Sequence, residues 1–178
     1  METAQIIQLA AEAGANAALD AFEKKKNTEI KERHDRRLRN TKLLLRHYRS
    51  FKSHVQNAIY ESDLQEDENT ADILELMWEN NSTEAVVESI KRSATRTKLI
   101  VEHTETMLNA YKMMCMRSGN DTDKRHWNVI YDMYIAEEMI PKEEIAERNH
   151  IELRTVYKDV DVACKKLSTL IFGIDGIN

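Results

Sequence analysis

The chain has 178 residues, 32% of them charged and 42% hydrophobic, with 4 Gly, 1 Pro and a formal net charge of −5. Sandwiches and barrels need many turns, which are built mostly from Gly and Pro, so this composition excludes them; collagen-like and Pro-rich disordered chains fall by the same count. Its Ala, Glu, Lys, Arg, Leu and Met are strong helix formers and predict an all-α fold, with long N-terminal helices followed by a C-terminal helical domain.

Residues 3–22 are Ala-rich, and Ile6, Ile7, Ala10, Ala11, Ala18 and Phe22 recur at roughly helical spacing. Gly14 weakens that run by about 1 kcal/mol relative to Ala. Two readings stay open: an assembly helix that packs through small residues, giving self-association, or a loosely ordered arm, since a short isolated helix is marginal in water. Residues 1–27 are set apart as this arm.

Lys24, Lys25 and Lys26 lead into a basic helix predicted over residues 28–62. Its apolar stripe is Leu38, Thr41, Leu45, Tyr48, Val55 and Ile59, broadened by Leu44 and Phe51. Arg33, Arg36, Arg37, Arg39, Arg46 and Arg49 lie mostly off it. The charge is strongly uneven: −4 over residues 1–23, +9 over 24–54, −10 over 55–90 and 0 over 91–178. Two readings of the +9 segment compete. Arg36, Arg37, Arg39, Lys42, Arg46, Tyr48 and Arg49 could form a second contact with nucleic acid or polymerase, Tyr48 and Phe51 meeting melted DNA. Alternatively the same cations pair with the acidic segment 55–90, which would then mask the helix.

A short helix is predicted over Ala71–Glu79, with Ile73, Leu74, Met77 and Trp78 inward. Asn80, Asn81 and Ser82 break it, and Asn81 with Glu84 has the form of a helix cap and its return partner. The next helix, predicted from Thr83 to Arg117, carries Val86, Val87, Ile90, Ala94, Val101, Leu108, Tyr111 and Cys115, with Thr95–Thr97 weakening its centre. Gly119 follows and marks the predicted boundary between a long-helix region, 28–118, and a terminal domain, 119–178.

That terminal domain reads as three helices. The first, over 123–137, has Trp127, Ile130, Tyr131 and Tyr134 on one face. Pro141 opens the second, which runs to Arg148 with acids in its first turn. Asn149 and His150 form the turn. The third runs from Glu152 to about Leu170, with Val156, Val160, Ala163, Leu167 and Leu170 inward. This is the spacing of a helix-turn-helix, with Ala146 small where the helices cross and Ile145 and Ile151 bracketing the turn. The position usually held by Gly is His150, and Asn or His tolerates the left-handed conformation better than most residues. Arg154, Thr155, Tyr157 and Lys158 face outward near the N-terminus of the third helix, where such motifs read bases and hold phosphates. An ordinary antiparallel helix pair with solvated exposed residues is the competing reading.

The stretch EEIAERNHIELRTVYKDVDVACKKLSTLIFGIDGI resembles the C-terminus of the ArpU/RinA-type phage transcriptional regulators, whose DNA-binding half is similar to region 4 of sigma factors. NTKLLLRHYRSFKSHV at 40–55, TRTKLIVEHTETMLNAYKMMC at 95–115 and WNVIYDMYI at 127–135 agree. The resemblance implies control of phage or prophage genes, often late ones, through double-stranded DNA and bacterial RNA polymerase. It implies DNA contact by Arg154, Thr155, Tyr157 and Lys158, with Lys142 and Arg148 on phosphates. A divergent sigma factor acting on core polymerase is the alternative within transcription. A packaging module such as a small terminase subunit is the alternative outside it.

Nothing points to an enzyme: no P-loop, GxSxG or HExxH is present. No cofactor or metal is expected, because His47 and His54 have no Cys or carboxylate at ligand spacing. Cys115 and Cys164 read as reduced core thiols, which with the lack of a secretory leader or apolar span predicts a cytoplasmic protein with no membrane contact.

Overall fold

The computed structural model describes residues 3–57, 70–79, 86–87, 90 and 94–173. Its helices are α1 (Thr3–Asn57), α2 (Thr70–Glu79), α3 (Ala94–Arg117), α4 (Asp121–Ile130), α5 (Lys142–Arg148) and α6 (Leu153–Phe172), with a π-helical turn over Tyr131–Ile135 after α4. No strand occurs among the described residues, so the fold is all-α as the composition requires. No helix among them is long and apolar enough to cross a membrane.

The chain divides into two compact units, Met1–Arg36 and Arg37–Asn178. The first is helical from Thr3, and every side chain from Ile7 to Asp35 is exposed, including Ile7, Leu9, Leu19 and Phe22. The arm and the basic helix are therefore not separate elements: helix continues through Lys24–Lys26, because Ala, Lys and Glu all favour it and nothing there breaks it. Side chains begin to bury at Arg36, where the first unit ends. Gly119 (φ 68) makes the turn between α3 and α4.

The second unit has one core. From α1 it takes Leu43, Leu44, Leu45, Tyr48 and Phe51, from α2 Ile73 and Met77, and from α3 Ile100, Val101, Leu108, Tyr111 and Cys115. Trp127, Val129 and Ile130 of α4, Ile145 and Ala146 of α5, and Val156, Val160, Ala163, Cys164, Leu167 and Ile171 of α6 join it, as do Val86 and Ile90. Full burial of a Leu, Ile or Phe contributes about 1.5–3 kcal/mol each. The face of α1 that faces inward is wider than the sequence stripe: Asn40 and Leu43 are buried beside Thr41 and Leu45. Asn40 stays satisfied by donating from Nδ2 to the Met77 carbonyl at 2.8 Å, which joins α1 to α2.

α6 packs on α3, α4 and α5, and α3 also packs on α2 and α4. The helix expected over 123–137 is shorter. It begins at Asp121, capped by Asn120 through a bond from Thr122 N to Oδ1 at 2.9 Å, and gives way to the π turn at Tyr131. Tyr134 is half-buried and packs against the core that holds Trp127 and Ile130, while Tyr131 is 45% exposed with its ring centre 6.0 Å from that of Trp127. α5 begins at Lys142, and Pro141 stands at its N-cap position. Ile6, Ile59, Trp78, the 80–82 break, the Asn81–Glu84 cap and most of the acidic segment fall outside the described side chains.

Candidate nucleic-acid interface

The C-terminal helix pair is joined by residues 149–152. His150 N donates to the Glu147 carbonyl at 3.1 Å, and Ile151 N to the Ala146 carbonyl at 3.0 Å. These two bonds close the end of α5 and require a left-handed residue between them. His150 fills that position with φ 53. Ile145 (0% exposed), Ala146 and Val156 (0%) are buried beneath the turn, fixing the two helices against each other.

Outside this core, α6 presents one polar stripe. Arg154, Lys158, Asp161 and Lys165 follow one another at three- and four-residue steps, Tyr157 lies beside them one turn from both Arg154 and Asp161, and all five are exposed, while Thr155 is half-buried. Lys142 of α5 reaches across to it: its Nζ lies 4.8 Å from the centre of the Tyr157 ring and 3.2 Å from its hydroxyl. Lys142, Tyr157, Arg154 and Lys158 thus share one surface spanning both helices. Arg148 is turned elsewhere, its Nη2 donating to Glu144 Oε1 at 2.6 Å within α5.

The second set of candidates has a different placement. Tyr48 is 4% exposed and Phe51 1%, so neither ring is open to a base. Tyr48 donates its hydroxyl to Glu105 Oε1 at 2.7 Å, and burial followed by that bond raises its pKa. The stripe periodicity marks both as inward residues. Arg49 donates to the carbonyls of Ala136 at 2.6 Å and Met133 at 3.1 Å. Arg37 donates to the Gly173 carbonyl at 3.0 Å, just past the end of α6. Lys42 pairs with Asp161 of α6 at 2.6 Å. These three cations therefore meet helix ends and an acid of the terminal helices. Arg36 and Arg39 are half-buried, and Arg46 is exposed.

One constellation went unread in the sequence. Asp159, 4% exposed, accepts from Arg125 Nε at 2.7 Å and lies 3.3 Å from His126 Nε2. Asp123 accepts from Lys166 at 2.8 Å, a bond that lowers its pKa despite some opposing burial. The signal was present: Asp159 interrupts the inward series Val156, Val160, Ala163, and a charge on an inward face needs partners. Among the described residues no cluster of three or more His, Cys, Asp or Glu could hold a metal. Cys115 and Cys164 are buried free thiols, and burial pushes Cys164 up to about 12.

The chain matches no family model, no curated protein and no solved structure.

Proposed function

We propose that this chain is a sequence-specific DNA-binding transcriptional regulator, using α5 and α6 as a helix-turn-helix with α6 in the major groove. The observation that carries the reading is the exposed surface of Arg154, Tyr157 and Lys158 on the first turns of α6, joined by Lys142 from α5. These residues combine an Arg able to bond guanine O6 and N7 with groups that hold phosphates, at the helix end that enters a groove. The left-handed turn at His150 supports it, since a tight corner lets the second helix project while the first braces it. The resemblance to ArpU/RinA-type regulators adds the biological setting: activation of phage or prophage genes together with host RNA polymerase.

The test is selection of bound duplexes from a randomised pool by the full chain, followed by transcription from the selected site. A recurrent sequence motif and stimulation that needs the complete host holoenzyme are expected. Transcription with bare core polymerase would make the chain a sigma factor instead. A ring of many subunits in light scattering, with no selected motif, would point to a packaging module.

A further inference from the structure

Asp161 stands in the middle of the polar stripe of α6. It follows Arg154 by seven residues and Lys158 by three, and it precedes Lys165 by four, so all four share one helix face. A bare carboxylate there would repel the phosphates that the three cations attract. Lys42 of α1 meets it, with Nζ 2.6 Å from Oδ1, across 119 residues of sequence. The two side chains keep 36% and 55% of their exposure. A pair this exposed contributes little to folding. Its larger effect falls on the field in front of the stripe, where cancelling one negative charge leaves the cations unopposed.

We propose that Lys42 is a positioning residue for DNA binding, which neutralises Asp161 so that Arg154, Lys158 and Lys165 face the DNA as an uninterrupted cationic stripe. The inference rests on the DNA-binding reading and assigns the α1 lysine a part in it without direct contact with DNA. It also explains why an acid is tolerated at that point of α6.

The experiment is fluorescence anisotropy of the full chain on a labelled mixed-sequence duplex, over a series of salt concentrations. Lys42→Ala is expected to bind about three- to tenfold more weakly at low salt, as for loss of one favourable charge near the backbone. Adding Asp161→Asn to it is expected to restore wild-type affinity or better. Asp161→Asn alone is expected to bind at least as tightly as wild type, which keeps the test decisive even if Lys42→Ala folds poorly. Weakening by Lys42→Ala that Asp161→Asn does not relieve would overturn the screening role and make Lys42 a direct phosphate contact. Wild-type binding by Lys42→Ala, or weaker binding by Asp161→Asn, would overturn it too. Lys158→Ala separates the two levels: if it loses affinity while Lys42→Ala does not, only the screening fails, and if neither loses affinity the DNA-binding reading fails.

Discussion

Arg49 of α1 donates from Nε to the carbonyl oxygen of Ala136 at 2.6 Å, joining residues 87 apart in sequence. Its Nη1 reaches Met133, inside the π turn that Ala136 follows, at 3.1 Å. A helix end leaves carbonyls without intrahelical partners, and here a guanidinium supplies them from another helix. The bond holds the segment that leaves the π turn, five residues before Pro141, against α1. Arg49→Ala is expected to destabilise the fold by about 1–3 kcal/mol, the cost of stripping partly buried carbonyls of a charged donor. Arg49→Lys should recover only part, because one ammonium cannot span the carbonyls that a planar fork reaches. Urea denaturation of the three proteins checks both; equal midpoints would disprove the capping role.

Asp159 holds α6 to α4 through Arg125 and His126, and its side chain is 6% exposed against 27% for Arg125. Removing the guanidinium leaves a buried carboxylate with only the imidazole beside it. Arg125→Ala is therefore expected to cost about 3 kcal/mol or more. Asp159→Asn should cost less, since a neutral amide can still accept from Arg125. Thermal melts of the two variants give the order; a larger loss in Asp159→Asn would contradict it.

His150 carries the left-handed turn that ends α5. A Cβ in that conformation is strained by about 1–2 kcal/mol, while Gly enters it freely at the cost of a more flexible unfolded chain. His150→Gly is expected to change stability by no more than about 1 kcal/mol, in the stabilising direction. His150→Val should destabilise by more than that, because branching at Cβ adds to the strain. Chemical denaturation distinguishes them, and a stabilising valine would show that the turn had rearranged.

Most of the element types and most of the core were legible from periodicity. Leu45, Tyr48 and Phe51 of α1, and Val156, Val160, Ala163 and Leu167 of α6, lie inward as their three- and four-residue steps require. Two kinds of feature were hidden. The π turn at Tyr131–Ile135 adds backbone without any Gly or Pro to announce it, so the end of the helix at Ile130 could not be placed. The fate of the Arg and Lys side chains was also hidden, because charge density along a sequence does not show which helix end lies opposite. Lys42, Arg37 and Arg49 resemble a nucleic-acid track in one dimension, and in three they meet Asp161, Gly173 and Ala136.

Arg154 and Lys158 are one turn apart on the exposed face of α6 and should play different parts on DNA. Bidentate contact with a guanine edge is specific, so Arg154→Ala is expected to cost about 1–3 kcal/mol on the selected site and to relax preference at one base. A phosphate contact has no sequence content. Lys158→Ala should weaken all duplexes alike and reduce the slope of log K against log salt by about 1. Binding to selected and scrambled duplexes over a salt series separates them, and wild-type behaviour in both variants would show that α6 is not the reading helix.

Two carboxyls tie helices together and should make the fold sensitive to acid. Burial pushes Glu105 up, but hydrogen bonds from Tyr48 and Lys52, at 2.7 and 3.1 Å, outweigh it and hold its pKa below the ordinary value. The bond from Lys166 does the same for Asp123. Because each folded-state value lies below the unfolded one, each contribution is complete above the ordinary carboxylate range and is lost as the pH falls through the folded value. Glu105 is more than a third exposed, so solvent screening keeps its share small, while Asp123 is 21% exposed and screened less. Melting temperature followed from about pH 7 to pH 3 is expected to decline through that window. Asp123→Asn should start lower at neutral pH and decline less steeply, since it has no proton to take up. A variant curve parallel to wild type would show that the Lys166 pair contributes nothing to the pH dependence.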